Sequence, residues 1–212
     1  GQLTFTHDAS LGAIPSLSAG NNLTINGGTL YYDDTGVNSS GVNTPVTINS
    51  NRIITIGDSG GTIHTRYTGE KINFGGIITG TGRLTKSGDG ILTLTGTLEN
   101  LGGAHISAAG NKKNSALTLG ASNVISNSYS LTVGGLLNMG GYNVTIGELI
   151  FQNNGNGTAT ISGTATLTAS SFDLRSGTVS VKLAGGTITK TTAGEVILKS
   201  TISSPSAITI SL

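Results

Sequence analysis

Apolar and polar residues alternate along most of this chain in short runs separated by glycine. Between Ile91 and Thr97, Leu92 and Leu94 alternate with Thr93, Thr95 and Thr97. That period of two sends leucine to one face of a strand and threonine to the other, so one face is core and the other is wet. Around it, from Gly75 to Gly110, strands are predicted at Arg83 to Lys86, Ile91 to Thr95 and Ala104 to Ser107. They are separated by Gly80, Gly82, Gly88, Gly90, Gly96, Gly102 and Gly103. Each run ends before a helix can nucleate, and glycine at such corners supplies left-handed backbone and lets neighbouring layers approach closely. The stretch reads as one coil of a wound sheet.

Apolar–Thr–apolar units recur at Leu23 to Ile25, Val46 to Ile48, Leu92 to Leu94, Leu117 to Leu119, Val144 to Ile146, around Leu167, and at Ile208 to Ile210. Two of the gaps are doubled, with Lys71 to Phe74 and Thr187 to Thr189 as intermediates, and the spacing predicts a coil of roughly 20 to 27 residues. Ile54 to Ile56 and Leu131 to Val133 read as second faces of the same coils. The expected fold is all-β, a single parallel β-helix (β-solenoid) of about nine coils over residues 1–212. At ~4.8 Å per coil it forms a rod roughly 40 to 45 Å long.

Asparagines recur between the runs, at Asn21, Asn22, Asn26, Asn49, Asn51, Asn123, Asn127, Asn138, Asn143, Asn153 and Asn154, and are read as corner residues, because asparagine tolerates left-handed backbone. The segments from Leu30 to Asn43 and from Phe151 to Gly157 break the rhythm and are expected as loops leaving the wall. Pro15, Pro45 and Pro205 spare the central coils. No window shows three-four apolar spacing free of glycine, so nothing beyond a short cap is expected as helix.

Composition narrows the function classes. Charged residues make up 10% of the chain and aromatics 4%, with 34 glycines and 35% hydrophobic residues, enough for the narrow interior of a solenoid. The eleven basic residues are scattered, with Lys112–Lys113 the one adjacent pair, and the net charge is +1. A nucleic-acid surface needs clustered cations, so none is expected. Cysteine is absent, which removes disulfides, thiolate chemistry and cysteine metal sites. No apolar run approaches the roughly 20 residues of a membrane span, so no membrane insertion by this segment is expected. No signal sequence opens the chain.

The run from Gly80 to Gly96, GTGRLTKSGDGILTLTG, resembles the passenger-associated transport repeat of bacterial autotransporters, whose pattern is G-x-G-x-L-x-K-x-G-x-G-x-L-x-L-x-G. Gly80, Gly82, Leu84, Lys86, Gly88, Gly90, Leu92, Leu94 and Gly96 fall on it. The second half of that repeat is degenerate, with Asn100 where the family has tyrosine and Ala104 where it has threonine, while Gly102 and Gly103 are kept. A second copy lies between Leu183 and Leu198, where Ile188, Lys190, Gly194, Val196 and Leu198 align with the same pattern. The resemblance implies a right-handed parallel β-helix exported by a type V route and displayed on the bacterial surface as an adhesin or related factor. It implies also that the chain is a passenger segment of a longer surface protein.

Chemical constellations are sparse. His7, His64 and His105 lie far apart in ordinary strand or turn contexts, and Gly88–Asp89–Gly90 lacks the nonapeptide spacing of calcium repeats. One catalytic arrangement is conceivable on a solenoid: Asp34 and Asp58, about one coil apart, with His64 nearby, as in polysaccharide-cleaving β-helices that use wall carboxylates as acid and base. Asp33 and Asp34 read equally as turn residues before Gly36. Thr–x–Thr strands, as at Thr93 to Thr97 and Thr158 to Thr160, suggest a hydroxyl array of the ice-binding kind, yet threonine is also the default outer residue of a half-buried strand. No residue is assigned a catalytic, cofactor-binding or metal-binding role, and no enzymatic activity is expected. The expected function is adhesion or self-association of an extracellular rod, with a cell-surface protein or glycan as ligand. A passive stalk or filament, a polysaccharide-degrading enzyme and an ice-binding solenoid are the alternatives.

Overall fold

Alternation becomes burial in the computed structural model, which describes residues 1–16, 23–33, 45–108, 115–125, 129–152 and 159–211. In Ile91–Leu94, Leu92 and Leu94 point inward and Thr93 outward, and the same inside-outside rhythm runs through Ile53–Ile56, Gly61–Thr65 and Arg83–Ser87. The strands stack in parallel as a β-solenoid of about eight turns, close to the nine expected from spacing. Among the described residues the one helical element is a 3-10 turn, Asp8–Leu11.

Three walls enclose the core. The long wall holds eleven strands, from Gln2–Phe5 through Gly28–Tyr32, Gly61–Thr65, Arg83–Ser87, Gly103–Ile106, Ser130–Val133, Val144–Phe151 and Thr166–Leu174 to Lys182–Lys190. That last strand pairs with both Ile202–Ser203 and Ile208–Ile210. An eight-stranded wall runs from Val46–Ile48 to Val196–Leu198, and a short wall of four strands from Leu23–Ile25 to Leu98–Glu99.

Beyond the short wall the cross-section changes. Val144–Phe151, Thr166–Leu174 and Lys182–Lys190 are eight or nine residues long, and the alternation slips once in the middle of each. Val144 and Ile146 face inward, Gly147 and Glu148 do not, and Leu149 and Phe151 face inward again. One strand thus turns a corner and serves two walls.

The apolar–Thr–apolar units do not build one wall, as a single repeating series would have it. Leu23–Ile25 stacks on Ile54 to Ile56 in the short wall, whereas Val46–Ile48 stacks on Lys71–Phe74, and that on Ile91–Leu94, in the eight-stranded wall. Val144 to Ile146 belongs to the long wall. All three walls are half-buried, so all three carry the same pattern.

Glycine is required where coils touch. A Cβ on Gly82 would lie 1.8 Å from the carbonyl oxygen of Gly57 in the coil below, and one on Gly88, with φ +81°, equally close to that of Thr65. Asparagines hold corners as expected. Asn26 Oδ1 accepts from the Ser59 N–H at 2.9 Å, Asn143 Oδ1 from that of Thr166 at 2.9 Å and Asn138 Oδ1 from that of Gly140 at 3.0 Å, while Asn100 and Asn123 are left-handed. Asn21, Asn22, Asn127, Asn153 and Asn154 lie outside the described residues; of the two segments expected as loops, Leu30 to Tyr32 and Phe151 are instead part of long-wall strands with Leu30, Tyr32 and Phe151 buried, and 34–43 and 153–157 lie outside the described residues.

The two copies of the repeat fold alike. In the first, Leu84 and Lys86 point inward from the long wall, a glycine corner follows, and Leu92 and Leu94 enter the eight-stranded wall. In the second, Ile188 is buried at the end of the long wall, Lys190 follows it, and Val196 and Leu198 enter the eight-stranded wall. Each lysine curls onto the corner after its strand: Lys86 Nζ donates to the carbonyls of Ser87 at 2.8 Å and Gly88 at 3.4 Å, and Lys190 Nζ to that of Thr192.

Candidate functional site

Parallel in-register stacking places outward side chains of successive coils one above another. On the long wall one such column runs Gln2, Thr29, Thr62, Thr85, His105, Thr132, Ile150, Asp173, Thr189 and Thr209. Thr29, Thr62 and Thr85 form three consecutive hydroxyl rungs. Beside them lies a polar cleft of about 220 Å³, bounded by the glycine corners at Gly27 and Gly60, by Ser59 and by Arg83.

Arg83 begins its strand on the outer face. Its side chain crosses Gly103 in the next coil, and Nη2 donates to Thr132 Oγ1 at 3.1 Å, two coils along. The other three arginines each face a carboxylate: Arg52 meets Asp8 at 2.7 Å, Arg66 meets Asp33 at 2.7 Å and Arg175 meets Asp173 at 2.6 Å. Arg83 lines the cleft and makes no ion pair among the described residues, and its guanidinium lies at the Thr132 rung, away from the cleft. His105 is the next rung. Burial, and secondarily the Arg83 charge, push its imidazole down to about 4, so it is neutral near pH 7. Its Nε2 is buried and has no hydrogen-bond partner among the described residues.

A second cluster stands farther along the same strands. The Tyr31 and His64 rings stack with centroids 4.5 Å apart and planes 11° from parallel. His64 Nδ1 is 2.9 Å from Ser87 Oγ on the next coil. Arg66, paired with Asp33, also lies over the Tyr67 ring at 4.6 Å, and Glu70 accepts from the Tyr67 N–H. Burial raises the Tyr31 phenol. Because the rings stack along the rod, they present edges outward and occupy each other's faces.

Of the residues considered for carboxylate catalysis, Asp34 lies outside the described residues. Asp58 stands in a corner and accepts from Thr81 Oγ1, while His64 stands on the wall face against Ser87. His7 bonds Thr6 near the first strand, and Asp89 stays in its glycine corner. Among the described residues no three His, Asp or Glu side chains converge as a metal site. Thr93 belongs to a column Thr47, Asn73, Thr93, Thr118, Asn138 and Ser162 that mixes hydroxyls with amides. Lys112 and Lys113 lie outside the described residues.

Two buried charges escaped sequence reasoning. Lys86 occupies an inward column between Ile63 and Ile106, with Nζ 2.9 Å from Thr65 Oγ1. Its position in the repeat was visible; its direction was not, since a lysine in an alternating strand is expected outside. Arg52 carried no signal at all. Comparison with protein-family models, with curated proteins and with solved structures returned no match.

Proposed function

We propose that this chain is an extracellular, β-helical rod segment of a bacterial autotransporter-like surface protein, and that it acts in adhesion, between cells or to a host surface. The observation that supports the reading most is the outer column of the long wall. It continues from Gln2 to Thr209 and includes a hydroxyl ladder beside a polar cleft, flanked by Arg83, which has no ion pair among the described residues. Such a surface suits contact with polar ligands along a rod, and the resemblance of Gly80 to Gly96 to the passenger repeat supports the reading. Beads coated with the purified chain are expected to attach to epithelial or bacterial cells in excess of albumin-coated beads. Equal attachment of the two would overturn the reading.

A second reading, self-association of this segment, is favoured by an apolar hollow. Leu174, Ile188, Val196, Leu198, Ile202, Ile208 and Ile210 line an apolar hollow of about 220 Å³, with Ile208 54% and Ile210 77% exposed. An exposed apolar patch of this kind promotes association with another chain.

A further inference from the structure

We infer that the cleft beside Arg83 binds an acidic saccharide, a chain of sugar units carrying carboxylate or sulfate groups, laid along the rod axis. The assignment rests on the adhesive reading and deepens it by naming the site and the ligand class.

Three features converge on that chemistry. First, Thr29, Thr62 and Thr85 offer hydroxyls that donate and accept, repeated at the ~4.8 Å strand spacing. With the half-buried His105 they make a polar track of four rungs, roughly 14 Å long, which ends at Thr132, buried and bonded by Arg83. A linear ligand rich in hydroxyls matches such a ladder better than a compact one does. Second, Arg83 lies alongside the track and is the one arginine with no carboxylate partner among the described residues. Its planar guanidinium suits two-point recognition of a carboxylate or sulfate. Third, His105 Nε2, on the adjoining rung, buried and unpartnered among the described residues, is a polar atom that structures rarely leave unsatisfied. A nucleic acid is a poorer match, because its phosphates need several clustered cations and this track carries one.

The test is titration of the 212-residue chain with polygalacturonate and heparin oligosaccharides, with dextran oligosaccharides of equal length as the neutral comparison. The acidic oligosaccharides are expected to bind, more weakly as salt rises, and dextran not to bind. Arg83→Gln is expected to weaken binding at least about tenfold, and Thr62→Val to weaken it less, both with unchanged circular dichroism and melting. The inference is overturned if no acidic oligosaccharide binds, if Arg83→Gln leaves affinity unchanged, if dextran binds as tightly, or if inorganic sulfate alone binds as tightly as the oligosaccharides. The bead assay separates the two levels. Attachment without saccharide binding removes the cleft assignment and leaves adhesion standing, whereas saccharide binding without attachment does the reverse.

Discussion

Lys86 stands in an otherwise apolar column, 2% exposed, with Ile63 below and Ile106 above. Burial lowers its ammonium from the ordinary 10.5 to about 7, against a smaller upward pull from Asp89 and Glu70. The unfolded chain keeps the ordinary value, so between about pH 7 and 10.5 it binds a proton that the folded chain releases. Stability therefore rises with pH across that window, and below pH 7 the cost of burying the charge is fully present. Lys86→Met is expected to flatten the rise while leaving the pH 7 melting temperature at or above wild type, as buried charges replaced by apolar groups often do. Melting curves at pH 7 and 9.5 check this, and equal pH slopes for the two proteins would count against it. The sequence marks Lys86 only by its place in a repeat. Its inward direction depends on the corner carbonyls of Ser87 and Gly88 and on Thr65, residues of two different coils.

At the level of elements, the 3-10 turn Asp8–Leu11 is held against the Asn49 to Arg52 corner by one side chain. The Arg52 guanidinium, 2% exposed, bonds the Asp8 carboxylate at 2.7 Å and donates to the carbonyls of Gly12 at 2.7 Å and Asp8 at 3.0 Å. The Asn51 side chain reaches the Pro15 carbonyl at 2.9 Å. Removing one partner of a buried pair leaves the other uncompensated, at a cost of about 3 kcal/mol or more. Arg52→Ala is therefore expected to release this turn. Amide exchange should accelerate across residues 8–16 and 49–52 while the coils from Arg83 onward keep their protection; uniform acceleration through the chain would refute a local latch. None of this was legible beforehand. A short cap was all that the apolar spacing allowed, and the partner of Arg52 lies 44 residues away. The strands at Arg83, Ile91 and Ala104 were legible to within a residue or two, because period-two burial and flanking glycines define a strand locally.

For the molecule as a whole, a solenoid is a sum of neighbouring coil contacts, and apolar surface left without a neighbouring coil is available for association. Exposed Leu198, Ile208 and Ile210 line the hollow beside the strand Lys182–Lys190. Sedimentation over a concentration series is expected to show self-association, and Ile208→Lys with Ile210→Lys to reduce it. A monodisperse monomer at the highest concentration would exclude self-association of this segment.

By itself the sequence determined the class of structure: parallel coils of alternating strands, glycine where layers touch, and two copies of one lysine-bearing corner. Those features follow from local chemistry, since alternation reports inside and outside on any half-buried strand and glycine reports left-handed or crowded backbone wherever it occurs. Tertiary structure decided which wall each unit joins, how the short wall gives way to strands that serve two walls, and which side chains stack. Thr29 meets Thr62 but Asp173 meets Thr189, so coil length varies and spacing alone does not give the register. Arg83 beside a threonine ladder, and Lys86 within the core, exist only once that register is set.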